Sequence, residues 1–157
     1  MKYASKLFYL SLKFMQDYPA AKYPELMHKK GRPYTCLLIE SHADYYICVP
    51  FRSSIGHKNA FFFTNTIRSK EAKSGLDYSK AVIIKDTDYF DLSRPATVDQ
   101  DEYVEMMVNL PVIVRETEGY VDSYINHIKG IASMHPRAFE RKYRYSALTY
   151  FHDIMGI

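Results

Sequence analysis

The stretch Pro50-Phe51-Arg52-Ser53-Ser54-Ile55-Gly56-His57-Lys58-Asn59 carries the densest set of reactive side chains in the 157-residue chain. Two hydroxyls, a guanidinium, an imidazole and an ammonium share one glycine-containing loop behind an apolar run. That mixture matches what RNA cleavage without a metal requires. A base takes the proton of a ribose 2′-hydroxyl, and the freed oxygen attacks the adjacent phosphorus. Cationic donors stabilise the added negative charge, and an acid protonates the departing 5′-oxygen. An imidazole changes charge near neutral pH, which suits His57 to either proton transfer. The fork of Arg52 fits phosphate oxygens, Lys58 supplies a point charge, and Ser53 or Ser54 can donate a hydrogen bond. The same residues also read as an ordinary solvated loop.

Other familiar chemistries have no local motif. The chain has no Gly-x-x-x-x-Gly-Lys, Gly-x-Gly-x-x-Gly, Cys-x-x-Cys, His-Glu-x-x-His or Gly-x-Ser-x-Gly. The histidines His28, His42, His57, His127, His135 and His152 are scattered, so no metal site and no cofactor is expected. Cys36 and Cys48 lie in apolar runs and read as buried free thiols.

The elements that must position the loop follow from hydrophobic periodicity. Leu7 to Phe14 reads as a strand, and Tyr23 to Gly31 as a short helix with lysines in its last turn. Thr35–Glu40 and Tyr45–Phe51, rich in β-branched and aromatic residues, form a hairpin around Ser41-His42-Ala43-Asp44. Ala60–Thr64 and Lys80–Lys85 are further strands, with Arg68 to Gly75 a basic loop between them. Asp99 caps a helix with carboxylates in its first turn, a long helix spans Asn109 to Lys129, and another runs from Pro136 through Arg141. The tail from Tyr143 to Ile154 is apolar enough to dock on the sheet. Strands come first and helices last, so the expected fold is α+β, a single domain over residues 1–157 with a curled antiparallel sheet.

Charge is uneven. Residues 1–85 hold 14 Lys/Arg against 6 Asp/Glu, a balance of +8, while residues 86–157 hold 7 against 12, a balance of −5. Seven carboxylates between Asp86 and Glu105 face only Arg94 and read as a solvated loop and helix start. Basic clusters lie at His28-Lys29-Lys30-Gly31-Arg32, Arg52 to Lys58, Arg68 to Lys73 and, within the acidic part, Arg137 to Arg144. Interleaved with Tyr, Ser and Gly, the four together suit a nucleic-acid partner, although any one alone reads as a solvated face. Tyr143-Arg144-Tyr145 reads as surface packing, with a place for bases to stack as the alternative. No run of 18 apolar residues and no secretory signal is present, so a cytoplasmic protein without a membrane partner is expected.

The run from Arg32 through Glu40, followed by Asp44 through Ser53, resembles the type III toxin–antitoxin endoribonucleases. Within the ToxN/AbiQ family it is most similar to the CptN/TenpN branch, to which Lys73-Ser74-Gly75-Leu76-Asp77-Tyr78-Ser79-Lys80-Ala81-Val82-Ile83-Ile84 is also similar. The resemblance covers about residues 32–85. It implies a MazF/Kid-like core, a strongly twisted antiparallel β-sheet with added, mainly C-terminal helices. It also implies a bacterial or phage-defence toxin that cuts cellular RNA, leaving a 2′,3′-cyclic phosphate and a 5′-hydroxyl. The implied partner is a small RNA antitoxin of repeated pseudoknots, processed by the toxin and holding it in a closed protein–RNA assembly. In ToxN-like members Thr-Ser-x-Lys follows the proline that ends the strand. Here Ser53 matches the serine, Arg52 replaces the threonine, and the lysine is displaced to Lys58 beside His57.

The catalytic set expected is therefore Ser53, His57, Lys58 and Arg52. RNA contact is expected from Arg32, Lys29, Lys30, Ser54, Arg68, Lys70, Lys73 and Lys80. The alternatives are a non-catalytic RNA-binding module using the same basic surface, and an interaction domain that meets its partner through the acidic segment.

Overall fold

The computed structural model describes residues 6–27 and 34–157. Lys29, Lys30 and Arg32 of the expected RNA-contact set, and His28 beside them, lie outside the described residues. The described chain is α+β, with seven strands in one antiparallel sheet and helices mostly C-terminal. The strands are β1 (Lys6–Leu10), β2 (Thr35–Glu40), β3 (Tyr46–Arg52), β4 (Ala60–Phe62), β5 (Gly75–Asp77), β6 (Val82–Ile84) and β7 (Phe90–Asp91). The helices are α1 (Leu12–Asp17), α2 (Ile67–Glu71), α3 (Gln100–Val108), α4 (Leu110–Ile128), α5 (Pro136–Tyr143) and α6 (His152–Met155).

The hairpin forms as its composition predicts, with Leu38 opposite Cys48 and Cys36 opposite Pro50. Both strands are buried in their centres, which suits their unbroken apolar runs. The sheet order is β4-β5-β3-β2-β1-β7, and β6 also pairs with β3. The free edge of β3 is thus shared: β6 takes Tyr46 to Cys48, and β5 takes Phe51 and Arg52. Pro50, which has no N–H to give, falls in the gap between them. Cys36 and Cys48 are buried free thiols, and burial pushes the Cys36 pKa up.

The first apolar run is not one strand. Ser11 ends β1 by capping α1, its hydroxyl accepting the Phe14 N–H at 3.3 Å. Phe14 then turns into the core and stacks on Tyr18 with ring centroids 4.9 Å apart. Residues 23–27 form turns rather than helix, and the rest of the expected 23–31 helix lies outside the described residues. The basic loop at 68–75 holds α2, closed by a reciprocal cap between Thr66 and Ser69, and then β5.

Asp99 stands at the head of α3 without a side-chain cap bond, and Asp101 and Glu102 occupy the first turn. Pro111 separates α3 from α4, because it has no N–H for the preceding turn. The stripe Ile113, Thr117, Tyr120, Val121 and Tyr124 buries one face of α4, which passes Gly119 unbroken. The tail docks as expected, with Ala147, Leu148 and Phe151 buried against β6 and its surroundings. Among the described residues no helix is long and apolar enough to cross a membrane.

Candidate active site

The loop after β3 is held at both ends. Ile55 is buried and donates its N–H to the Lys73 carbonyl at 2.9 Å, while the Asn59 carbonyl accepts the Tyr78 N–H at 3.0 Å. Between these anchors Ser54 takes the left-handed conformation, φ 55°. On the other side, register sets Gly75 opposite Arg52 and Asp77 opposite Ala60, which brings Asp77 beside the loop. That register needs a glycine: a Cβ on Gly75 would stand 1.8 Å from the Phe61 carbonyl oxygen.

Asp77 is the centre of the site. Its carboxylate is fully buried, and Oδ2 accepts from Arg52 Nη1 at 2.8 Å. Oδ1 accepts from the Ser79 N–H at 2.9 Å and from the Ser79 hydroxyl at 2.7 Å, and it faces His57 Nε2 at 3.1 Å. Burial pushes the Asp77 pKa up, but the bonds from His57, Ser79 and Arg52 outweigh it and hold the carboxyl below the ordinary value. His57 Nδ1 accepts the Asn59 N–H at 3.0 Å, so the neutral ring carries its proton on Nε2, toward Asp77. The Ser79 hydroxyl meets that same Nε2 at 3.1 Å. Serine and carboxylate on one nitrogen do not make a Ser-His-Asp relay, which needs them on opposite nitrogens.

His57 and Lys58 open on a cleft of about 490 Å³, lined also by Asn59, Met134, Ala138, Arg141 and Lys142. Its far wall is α5, tied to the loop by a long hydrogen bond from the Asn59 amide to the Lys142 carbonyl at 3.4 Å. Two basic clusters far apart in sequence thus face each other. Burial, and then the ammonium of Lys58, lower the pKa of Lys142. Lys58 and Arg141 are exposed, so the cleft wall offers solvent-facing cations to an anion.

The remaining expected residues fall into two groups. Lys80 lies close to the Asp77 cluster, half-buried, and donates to the Tyr145 carbonyl at 2.9 Å. Burial lowers its pKa, against the pull of Glu25 and Asp77. Ser53 is half-buried at the strand end, and among the described residues no hydrogen bond joins it to His57 or Lys58. Lys73 is exposed and lies 5.7 Å from the centre of the Phe62 ring.

Arg68 and Lys70 sit on α2, away from this cluster. Arg68 forks onto Glu102, with Nε to Oε2 at 2.9 Å and Nη2 to Oε1 at 2.6 Å. Glu102 is fully buried, so the acidic segment is not solvated throughout: one of its carboxylates is the interior half of this pair. Asp77 and Ser79 were not among the residues singled out for chemistry, because a carboxylate and a serine in a short turn carry no local signature.

A larger concavity lies elsewhere. It measures about 970 Å³ and runs between α2 and α3, with Glu71, Asp99, Asp101 and Glu105 on its walls. Those carboxylates repel a polyanion, so size does not select it as the site for a phosphate. Among the described residues no group of His, Cys, Asp and Glu side chains is placed to hold a metal ion. No protein-family model, curated protein or solved structure matches this chain. The chemistry of the site is read from its own residues.

Proposed function

We propose that the chain is a metal-independent endoribonuclease toxin of a type III toxin–antitoxin system, bound and inhibited by a repeated RNA pseudoknot. The observation that carries this reading is the cleft in which His57 and Lys58 face Arg141 and Lys142 beside the buried Asp77 cluster. A ribose–phosphate linkage in that cleft meets cations from both walls, and those cations stabilise the charge that builds on phosphorus. The resemblance over residues 32–85 and the basic excess of the N-terminal part add support.

In this reading Lys58 and Lys142 contact the reacting phosphate. Asp77 is a positioning residue that holds Arg52 and His57. His57 takes the 2′-hydroxyl proton on Nδ1 once the Asn59 N–H bond opens, the 2′-oxygen bonds to phosphorus as the P–O5′ bond breaks, and the Lys58 ammonium gives the departing 5′-oxygen its proton.

The test is incubation of purified protein with single-stranded RNA in EDTA, with the product ends identified. Cleavage to 2′,3′-cyclic phosphate and 5′-hydroxyl ends is expected, with Lys58→Ala slower by roughly 100-fold. No cleavage, together with a Lys58→Ala variant as toxic to cells as wild type, overturns the assignment. A second reading, a non-catalytic RNA-binding module, is favoured by one feature: both ring nitrogens of His57 are already engaged. It predicts tight, salt-sensitive RNA binding with no new ends.

A further inference from the structure

Ala138, Arg141 and Lys142 line the cleft from α5. They stand at i, i+3 and i+4, so they form one stripe along the helix. The next member of that stripe, at i+7, is Tyr145. The chain keeps its helical course up to this point, with Arg144 in αR conformation and its N–H on the Glu140 carbonyl at 3.0 Å. Tyr143 is buried in an aromatic cluster with Tyr120, Tyr124 and Phe139, and the Lys142 ammonium lies over its ring at 5.4 Å, but Tyr145 is 59% exposed.

The guanidinium of Arg144 lies over the Tyr145 ring at 5.0 Å from its centroid. A cation on one face of a ring leaves the other face for a flat partner, and at this exposure the ring is largely uncovered by the described residues. The backbone of Tyr145 is fixed from the site itself, because its carbonyl accepts the Lys80 ammonium at 2.9 Å. An exposed tyrosine is commonplace. One that ends a basic stripe, carries a guanidinium and is anchored to the residue after Ser79 is placed for a ligand with both a ring and a phosphate.

We infer that Tyr145 is a stacking platform for one unpaired nucleobase of the RNA whose phosphate lies against Lys58 and Lys142. This rests on the RNA-directed reading of the cleft and adds to it a subsite: the substrate is a single strand, with a base turned out onto the ring. A duplex, whose bases are stacked on one another, cannot offer that face.

The chain has no tryptophan, so Tyr145→Trp places a single reporter at this position. The side chain can be changed without touching the carbonyl that holds Lys80. The probe is a 2′-O-methylated single-stranded RNA pool of about 12 nucleotides, which cannot be cleaved. It is compared with an abasic ribose–phosphate oligomer of equal length.

Wild type and Tyr145→Phe are expected to bind the base-bearing oligomer more tightly than the abasic one. Tyr145→Ala loses that preference, with binding weaker by roughly 10-fold. The tryptophan of Tyr145→Trp is expected to be quenched by the base-bearing oligomer and not by the abasic one. Equal binding by wild type and Tyr145→Ala, with an unquenched tryptophan, overturns the inference while leaving the cleft reading intact. Failure of wild type to bind either oligomer overturns both.

Discussion

A carboxylate with no exposed surface that faces Arg52, His57 and both donors of Ser79 ties its own ionisation to folding. The pKa of Asp77 is lower in the folded protein than the ordinary value. The stability it contributes is therefore full above the unfolded carboxylate value of about 3.9, and it is lost as pH falls toward the lower folded one. Asp77→Asn should flatten the acid limb of the stability curve: between about pH 4 and pH 2 its urea midpoint falls less than that of wild type. Parallel curves for the two proteins would rule out this role for Asp77. At neutral pH the same change should cost about 3 kcal/mol by urea titration, near the low end for breaking a buried pair, because the Arg52 side chain is 29% exposed. Thr117 offers the opposite case, since its buried hydroxyl has no hydrogen-bond partner among the described residues. Thr117→Val should stabilise the fold by about 1 kcal/mol, read as a higher melting temperature. At this scale the sequence showed part of the site. Arg52, His57 and Lys58 stood out because they cluster within one loop. Asp77 and Ser79 did not, and Arg141 and Lys142 showed only as a separate basic cluster, because nothing in local spacing says that pairing across the sheet and the packing of α5 will bring them to the loop.

Among the elements, legibility followed length. The hairpin of β2 and β3 and the α4 stripe were readable because each repeats its period several times, and the start of α5 because Pro136 marks a first helical turn. β5 has only Gly75, Leu76 and Asp77. Three residues show no alternation, so the strand that delivers the central carboxylate was invisible. Its position can be tested through Gly75, where an added Cβ would meet Phe61 backbone. Gly75→Ala should destabilise by about 3 kcal/mol and loosen β4 and the loop before it, raising hydrogen exchange at Asn59 and Tyr78 above that elsewhere in the sheet. Protection unchanged at both amides would show that the β4–β5 contact does not position the loop. The pairing of α2 with α3 is held by Arg68 on Glu102 and by the Ile67 N–H on Asp101 at 2.8 Å, and it was missed because the segment from Asp86 to Glu105 looked uniformly solvated. Arg68→Ala strands a buried carboxylate and should cost about 3 kcal/mol in urea titration, again the low end because the Arg68 side chain is 39% exposed. A joint change of Arg68 and Glu102 to methionine should recover most of that loss, since it removes the stranded charge as well as its partner.

Across the whole molecule, net charge says little about where a polyanion binds, because the fold redistributes charge that the chain order keeps apart. The +8 of residues 1–85 and the −5 of residues 86–157 suggest a basic half and an acidic half. The structure instead takes α5 from the acidic half and sets it across from Lys58, and it puts the acidic groove beside α2 of the basic half. RNA binding should therefore depend on a few cations at one cleft rather than on overall charge. If Lys58, Arg141 and Lys142 each neutralise one phosphate, a single strand should show a log–log salt slope of about −2, from roughly −0.7 per contact. Lys58→Ala should make that slope shallower by about 0.7. Glu71→Gln with Asp99→Asn, in the groove, should leave the slope where it was. Anisotropy titrations between low and moderate salt separate the two cases. A slope that responds to the groove variants and ignores Lys58 would move the RNA to the other side of the molecule, and the active-site assignment would go with it.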